Sequence, residues 1–153
     1  MSVYFIDTSS IGKRYVAEAG STWLRNIIRP EHGHTFIISE LTLVETVSLL
    51  EKKVREGALA TIIADFLRFQ FLTHAHYEYR VIPIESKILT SSRKLVVKHR
   101  SHSLRALDAI QLASAMNARS LITQPITFIA SDKRLLDAAT GEKFPIDDPR
   151  LHP

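Results

Sequence analysis

The sequence contains no cysteine, which excludes disulfides, iron–sulfur clusters and thiolate zinc sites. Only 5 glycines and 6 prolines occur in 153 residues, too few for long flexible linkers or low-complexity tracts. No apolar run approaches the ~18 residues of a membrane span, so no membrane partner is expected. Residues 1–7 have no basic region, and an acid at position 7 breaks their apolar run, unlike a secretory signal. With cysteine absent as well, the expected location is the cytoplasm. What remains is ordinary globular composition, 45% hydrophobic and 24% charged, and the length predicts a single domain over residues 1–153. Such a chain buries roughly two-thirds of its unfolded surface without a covalent or metal staple.

Acids are also missing from one stretch. Residues 86–107 contain none, yet hold six strong bases: Lys87, Arg93, Lys94, Lys98, Arg100 and Arg105. The whole chain carries +4, from 20 basic and 16 acidic residues, so the other 131 residues sum to −2 (4 minus 6). A basic strip therefore sits on a slightly acidic body.

Short β-branched or aromatic runs alternate with longer helical patterns. Residues 3–7 (VYFID), 35–38 (TFII), 79–84 (YRVIPI) and 127–131 (TFIAS) are apolar almost throughout, as strands buried on both faces are. Residues 39–57, 58–78, 85–99 and 107–120 read as helices, with Gly57 as a stop between the first two. This alternation predicts an α/β sandwich on a mainly parallel sheet.

In open parallel sheets, reactive groups lie beyond the carboxyl ends of strands. The first strand ends in Asp7-Thr8-Ser9 and the fourth in Ser131-Asp132. Either aspartate also suits a helix N-cap. Asp108, with Gln111 three residues on, resembles a capping box, though Ala109 and Leu112 beside it turn it inward. Glu45 lies off the apolar stripe Leu43, Val47, Leu50 and Val54, but Leu41 and Leu49 flank it, and Lys52 is the nearest compensating charge in the helix. Glu40, at a helix start, reads as capping or dipole pairing. Taken together, Asp7, Glu45, Asp108 and Asp132 make a set of carboxylates that cannot all stay ionised in one cleft without a cation between them. Hard oxygen ligands select Mg²⁺ or Mn²⁺. Such an ion activates water for phosphodiester hydrolysis.

These residues, in this order, carry a family resemblance. The opening VYFIDTSSIGKRYVAEAGS, the block LRALDAIQLASA and the terminal FIASDKRLLDAA resemble the PIN-domain nucleases, in particular the VapC toxins of type II toxin–antitoxin pairs. No acid of that pattern is missing. The resemblance implies a PIN-like α/β/α sandwich and a metal-dependent endoribonuclease. Asp7, Glu45, Asp108 and Asp132 would hold Mg²⁺ or Mn²⁺, with Thr8, Ser9 and Ser131 orienting the carboxylates or a water on the ion. It further implies an RNA substrate, a cognate antitoxin protein and a homodimer.

The basic strip runs up to Asp108, and Arg93, Lys94, Lys98, Arg100 and Arg105, with Lys133 beside Asp132, are candidate RNA-phosphate contacts. A solvated helix face is the other reading of the same strip. Lys13, Arg14 and Arg134 are further candidates. The pairs His74/His76 and His99/His102 lack an H-E-x-x-H context and are expected on the surface. Residues 62–72, with Ile62, Ile63, Phe66, Leu67, Phe69, Phe71 and Leu72, are apolar around much of a helix, enough for core burial and a second, interface face. Two other enzyme classes fit poorly: a haloacid-dehalogenase phosphatase wants an acid where Ser9 stands, and a receiver domain wants paired acids at the first strand. A non-catalytic nucleic-acid- or protein-binding module remains the alternative.

Overall fold

A computed structural model describes residues 1–152. Among them, five strands form one sheet: β1 (Val3–Ile6), β2 (Thr35–Ser39), β3 (Tyr79–Ile82), β4 (Ile126–Ile129) and β5 (Ile146–Asp147). Their order is β3-β2-β1-β4-β5, and every pairing is parallel. Seven helices flank it: α1 (Thr8–Ile11), α2 (Ser21–Ile27), α3 (Glu40–Arg55), α4 (Thr61–Tyr77), α5 (Ser86–Lys98), α6 (Ala106–Leu121) and α7 (Lys133–Gly141). Among the described residues, no helix is long and apolar enough to cross a membrane.

The strands are apolar throughout because both faces are covered. In β1, Val3 and Phe5 enter a core completed by α5, α6 and α7, while Ile6 enters one lined by α1, α2 and α4. Phe5 stacks on Phe128 of β4 at a centroid distance of 5.3 Å, both fully buried. Each such ring contributes on the order of 2–3 kcal/mol by leaving water. The result is the expected three-layer α/β/α sandwich.

Several boundaries differ from the sequence expectation for identifiable reasons. β3 stops at Ile82 because Pro83 has no N–H, and the next amide, Ile84, donates to Glu40 Oε2 at 2.9 Å instead of to a strand. Glu40 is thereby accounted for. β5 has only two residues and exists through the bonds Phe128 N–H to Pro145 O (2.8 Å) and Ala130 N–H to Asp147 O (3.2 Å). α2 carries too little periodicity to be read; fully buried Leu24 and the stack of Trp23 on His152, 4.1 Å between centroids, anchor it. Gly57, at φ +72°, ends the α3 segment as expected. Gly20 is obligatory on two counts: φ is +88°, and a Cβ there would lie 2.3 Å from the Pro149 carbonyl oxygen.

Candidate active site

The chain runs from β1 outward to β2 and β3, then crosses to β4 on the other side of β1. β1 and β4 are thus neighbours whose connections leave in opposite directions, and a crevice opens beyond the carboxyl ends of such a pair. Asp7 follows β1 directly, and Asp132 lies three residues beyond β4. Both are helix N-caps, as the capping reading of them expects. Asp7 Oδ2 accepts from Ser9 N (2.9 Å) and Ser9 Oγ (2.6 Å). Asp132 Oδ1 accepts from Arg134 N (2.8 Å) and Leu135 N (3.3 Å).

Glu45 comes from the second turn of a different helix. Of the predicted apolar stripe of α3, Leu50 is buried and Leu43 packs partly buried on the core, but the other buried residues of the helix are Thr42 and Thr46. Glu45 Oε2 accepts from Thr8 Oγ1 at 2.5 Å and from Gln111 Nε2 at 2.7 Å. Lys52 plays no part, being exposed and 3.7 Å from Glu56. Asp108 sits in the first turn of α6, where the helix start favours a carboxylate. Asp7, Glu45 and Asp132 therefore share one pattern: one oxygen is fixed by two donors, and the other accepts no hydrogen bond from the described residues.

The acids repel one another across the crevice. Burial pushes the Asp7 carboxyl up from 3.8 to about 6, against the two Ser9 hydrogen bonds, with Glu45 and Asp108 adding to the rise. Burial also raises Asp108, with Asp132 and then Glu45 adding repulsion while the Arg105 backbone and guanidinium oppose it. No group of three or more His, Asp or Glu among the described residues closes into a single metal cage. The donor set itself is all oxygen, anionic and only partly hydrogen-bonded, which suits Mg²⁺ or Mn²⁺ and does not suit zinc.

The PIN domain profile matches residues 4–141. The chain belongs to the PIN domain family. PIN domains are nucleases. No curated protein matches the chain by sequence. Solved structures share the fold at low identity. PAE2754 of Pyrobaculum aerophilum has 19% identity and a TM-score of 0.68, covering 98% of this chain and 85% of that one. FitAcB of Neisseria gonorrhoeae has 14% identity and a TM-score of 0.69, covering 99% of each chain. VapBC-5 of Mycobacterium tuberculosis, a member of the VapBC family of toxin–antitoxin systems, has 17% identity and a TM-score of 0.56, covering 97% of this chain and 98% of that one.

Other polar residues complete this PIN domain's crevice. The Ser131 backbone N–H donates to Ser9 Oγ (2.9 Å), whose hydroxyl donates to Asp7 Oδ2, so the β4 loop and α1 are tied through one hydroxyl. Ser10 Oγ lies 3.3 Å from Ser131 Oγ. The spacing of Gln111 from Asp108 suggests only a capping partner, but α6 has no side-chain cap, and the amide instead reaches Thr8, Thr42 and Glu45. The signal for this role lies in the sequence as a polar residue beside Leu112, Ala115 and Ala118, one turn after Asp108.

The basic candidates divide. Arg93, Lys94, Arg100 and Arg105 are exposed. Lys98 pairs with Glu142 at 2.6 Å, just past the end of α7 remote from Asp132. Nine helical residues separate those ends, ~13 Å at 1.5 Å per residue. Lys133 is exposed and pairs with Asp137 (2.8 Å), and Arg134 Nε lies 3.8 Å from Asp132 Oδ1. Lys13 and Arg14 are used internally: Lys13 is buried against Glu18 (3.2 Å), and Arg14 binds Glu78 (2.7 Å) and the Tyr79 hydroxyl. Of the histidines expected on the surface, His99 is not there and His74 is half-buried. His99 is buried and 2.7 Å from Glu142 Oε1, and His74 Nδ1 is 2.9 Å from the Tyr15 hydroxyl.

Proposed function

We propose that this PIN domain is a divalent-metal-dependent endoribonuclease acting as the toxin of a toxin–antitoxin pair in the cytoplasm. The observation that carries this reading is the set of four carboxylates, Asp7, Glu45, Asp108 and Asp132, brought from separate helix starts and faces to one sheet edge, three of them each presenting one oxygen that accepts no hydrogen bond from the described residues. Mg²⁺ keeps several waters and takes one or two carboxylates directly, completing its shell with substrate phosphates, so a closed cage of three acids is not required. A bound ion would polarise the phosphate and ease deprotonation of the attacking water.

The chain's own groups do the rest. Ser9, Thr8 and Gln111 hold fixed oxygens of Asp7 and Glu45, which leaves the opposite oxygens without a hydrogen bond from the described residues and available to an ion. Asp7, at about 6, releases its proton only near neutral pH, so ion binding is expected to strengthen as pH rises through that value. Arg105, beside Asp108, and exposed Arg93, Lys94 and Arg100 supply cations for a phosphate backbone. For the partner, α4 presents Ile62, Phe66 and Phe69 to solvent at 74%, 59% and 71% exposure, a large apolar surface suited to an antitoxin segment or a second copy. The likeness to VapBC-5 supports a toxin–antitoxin setting.

Structured RNA incubated with Mg²⁺, with EDTA, and with the Asp7→Asn variant tests the activity. Cleavage by the wild type in Mg²⁺ alone is expected. Equal cleavage in all three points to a contaminant, and cleavage in none favours a binding module.

A further inference from the structure

Gln111 is 1% exposed, so no water can take over its hydrogen bonds. Its Nε2 lies 2.7 Å from Glu45 Oε2, 3.1 Å from Thr8 Oγ1 and 3.0 Å from Thr42 Oγ1. The orientation of the amide is forced by chemistry. The Glu45 carboxylate only accepts, and the Thr8 hydroxyl has already given its proton to that same carboxylate, so both need a donor from position 111. Only the nitrogen of the amide can serve them.

The placement of this amide is as informative as its bonds. Gln111 stands one turn after Asp108 on the same face of α6. Thr8 directly follows Asp7, and Thr42 lies one turn before Glu45 on α3. One side chain therefore touches the elements that carry Asp7 and Glu45 while riding on the helix that carries Asp108. Resting on the reading of these acids as a divalent-ion site, we propose that Gln111 is a positioning residue that fixes the free oxygen of Glu45 toward the crevice and sets the register of Asp108 against it. Without it, Glu45 Oε2 keeps a single donor, Thr8, and the carboxylate can rotate about its last torsion.

Removal of an outer partner of this kind weakens metal affinity roughly 10–100-fold. The test is Mn²⁺ titration by calorimetry at about pH 7.5 without RNA, on wild type, Gln111→Leu and Thr42→Val. With both amide hydrogens taken by Glu45 and Thr8, Thr42→Val deletes only the bond that its hydroxyl donates to Gln111 Oε1 (3.4 Å) and leaves Glu45 untouched. Mn²⁺ binding at least ~10-fold weaker in Gln111→Leu, with Thr42→Val within about threefold of wild type, is the expected result. On RNA, kcat should fall by a similar factor with KM unchanged. Wild-type affinity in Gln111→Leu overturns the inference, and so does an equal loss in both variants, which marks ordinary core packing. If Gln111→Leu does not fold, Gln111→Glu keeps the shape but replaces the donor with an acceptor, and the same loss is expected. A wild type that binds no Mn²⁺ overturns the ion-site reading itself, and the inference with it.

Discussion

Asp7→Asn should stabilise the metal-free protein at neutral pH while abolishing cleavage. The side chain is 5% exposed, and its carboxyl is raised from 3.8 to about 6, chiefly by burial. Ionising it in the folded state at about pH 7.5 therefore costs about 3 kcal/mol relative to the unfolded chain. Asn caps a helix as well as Asp does, so the bond from Ser9 N survives, and the rise to about 6 already sets the two charged Ser9 bonds against burial. The net gain is about 3 kcal/mol, or about 6–12 °C in Tm for a domain of this size. The sign of the pH dependence follows from linkage. An acid whose folded pKa is raised binds more protons in the folded state, so wild-type stability falls as pH rises from 3.8 through about 6. The advantage of Asn is thus full above that window and gone near its lower end. Thermal unfolding in EDTA at about pH 7.5 and about pH 4.5 measures it, and added Mg²⁺ should raise the Tm of wild type only. A variant no more stable than wild type at the higher pH, or equally shifted at both, would refute the placement of Asp7 in a buried, acid-lined crevice.

Other outcomes are expected from the same physics. Arg93→Glu with Lys94→Glu should weaken RNA binding with Mn²⁺ affinity unchanged. In a salt titration, the slope of log K against log salt should flatten by roughly 0.7 for each phosphate the variant no longer neutralises. Glu142→Gln should cost about 2 kcal/mol in urea unfolding at about pH 7, because it removes the negative charge from the buried acceptor shared by His99 and Lys98. Those partners lower the Glu142 pKa from 4.5 against a desolvation that raises it, so the difference from wild type should close as pH falls below that value. Gly20→Ala should destabilise by more than about 1 kcal/mol, since φ is +88° and the new Cβ meets the Pro149 carbonyl; an unchanged Tm would show that the carboxyl-terminal turn is free to move.

Much of this protein is determined locally and is readable as such. Strands VYFI, TFII and ITFI are apolar at nearly every position, which burial on both faces explains, and that already implies a parallel sheet under two helical layers. The strand-end positions of Asp7 and Asp132, and their Thr-Ser and Lys-Arg-Leu successors, mark two acids and two helix starts from sequence alone. Glu45 is harder, since the α3 face it shares is made of Thr42 and Thr46, and periodicity cannot distinguish a polar buried face from a solvated one. Other features have no local signal at all. That β1 lies between β2 and β4, opening a crevice at their carboxyl ends, depends on where the connection from β3 crosses the sheet. The same holds for Gln111 and Thr8, 103 residues apart in sequence, whose hydrogen bond exists only because α1 and α6 meet above that edge. The rise of Asp7 to about 6 is likewise tertiary, because its causes are burial and the charges of residues on other elements. Residue types and their spacing carry the chemistry each side chain can perform, and the sheet decides which of them face one another.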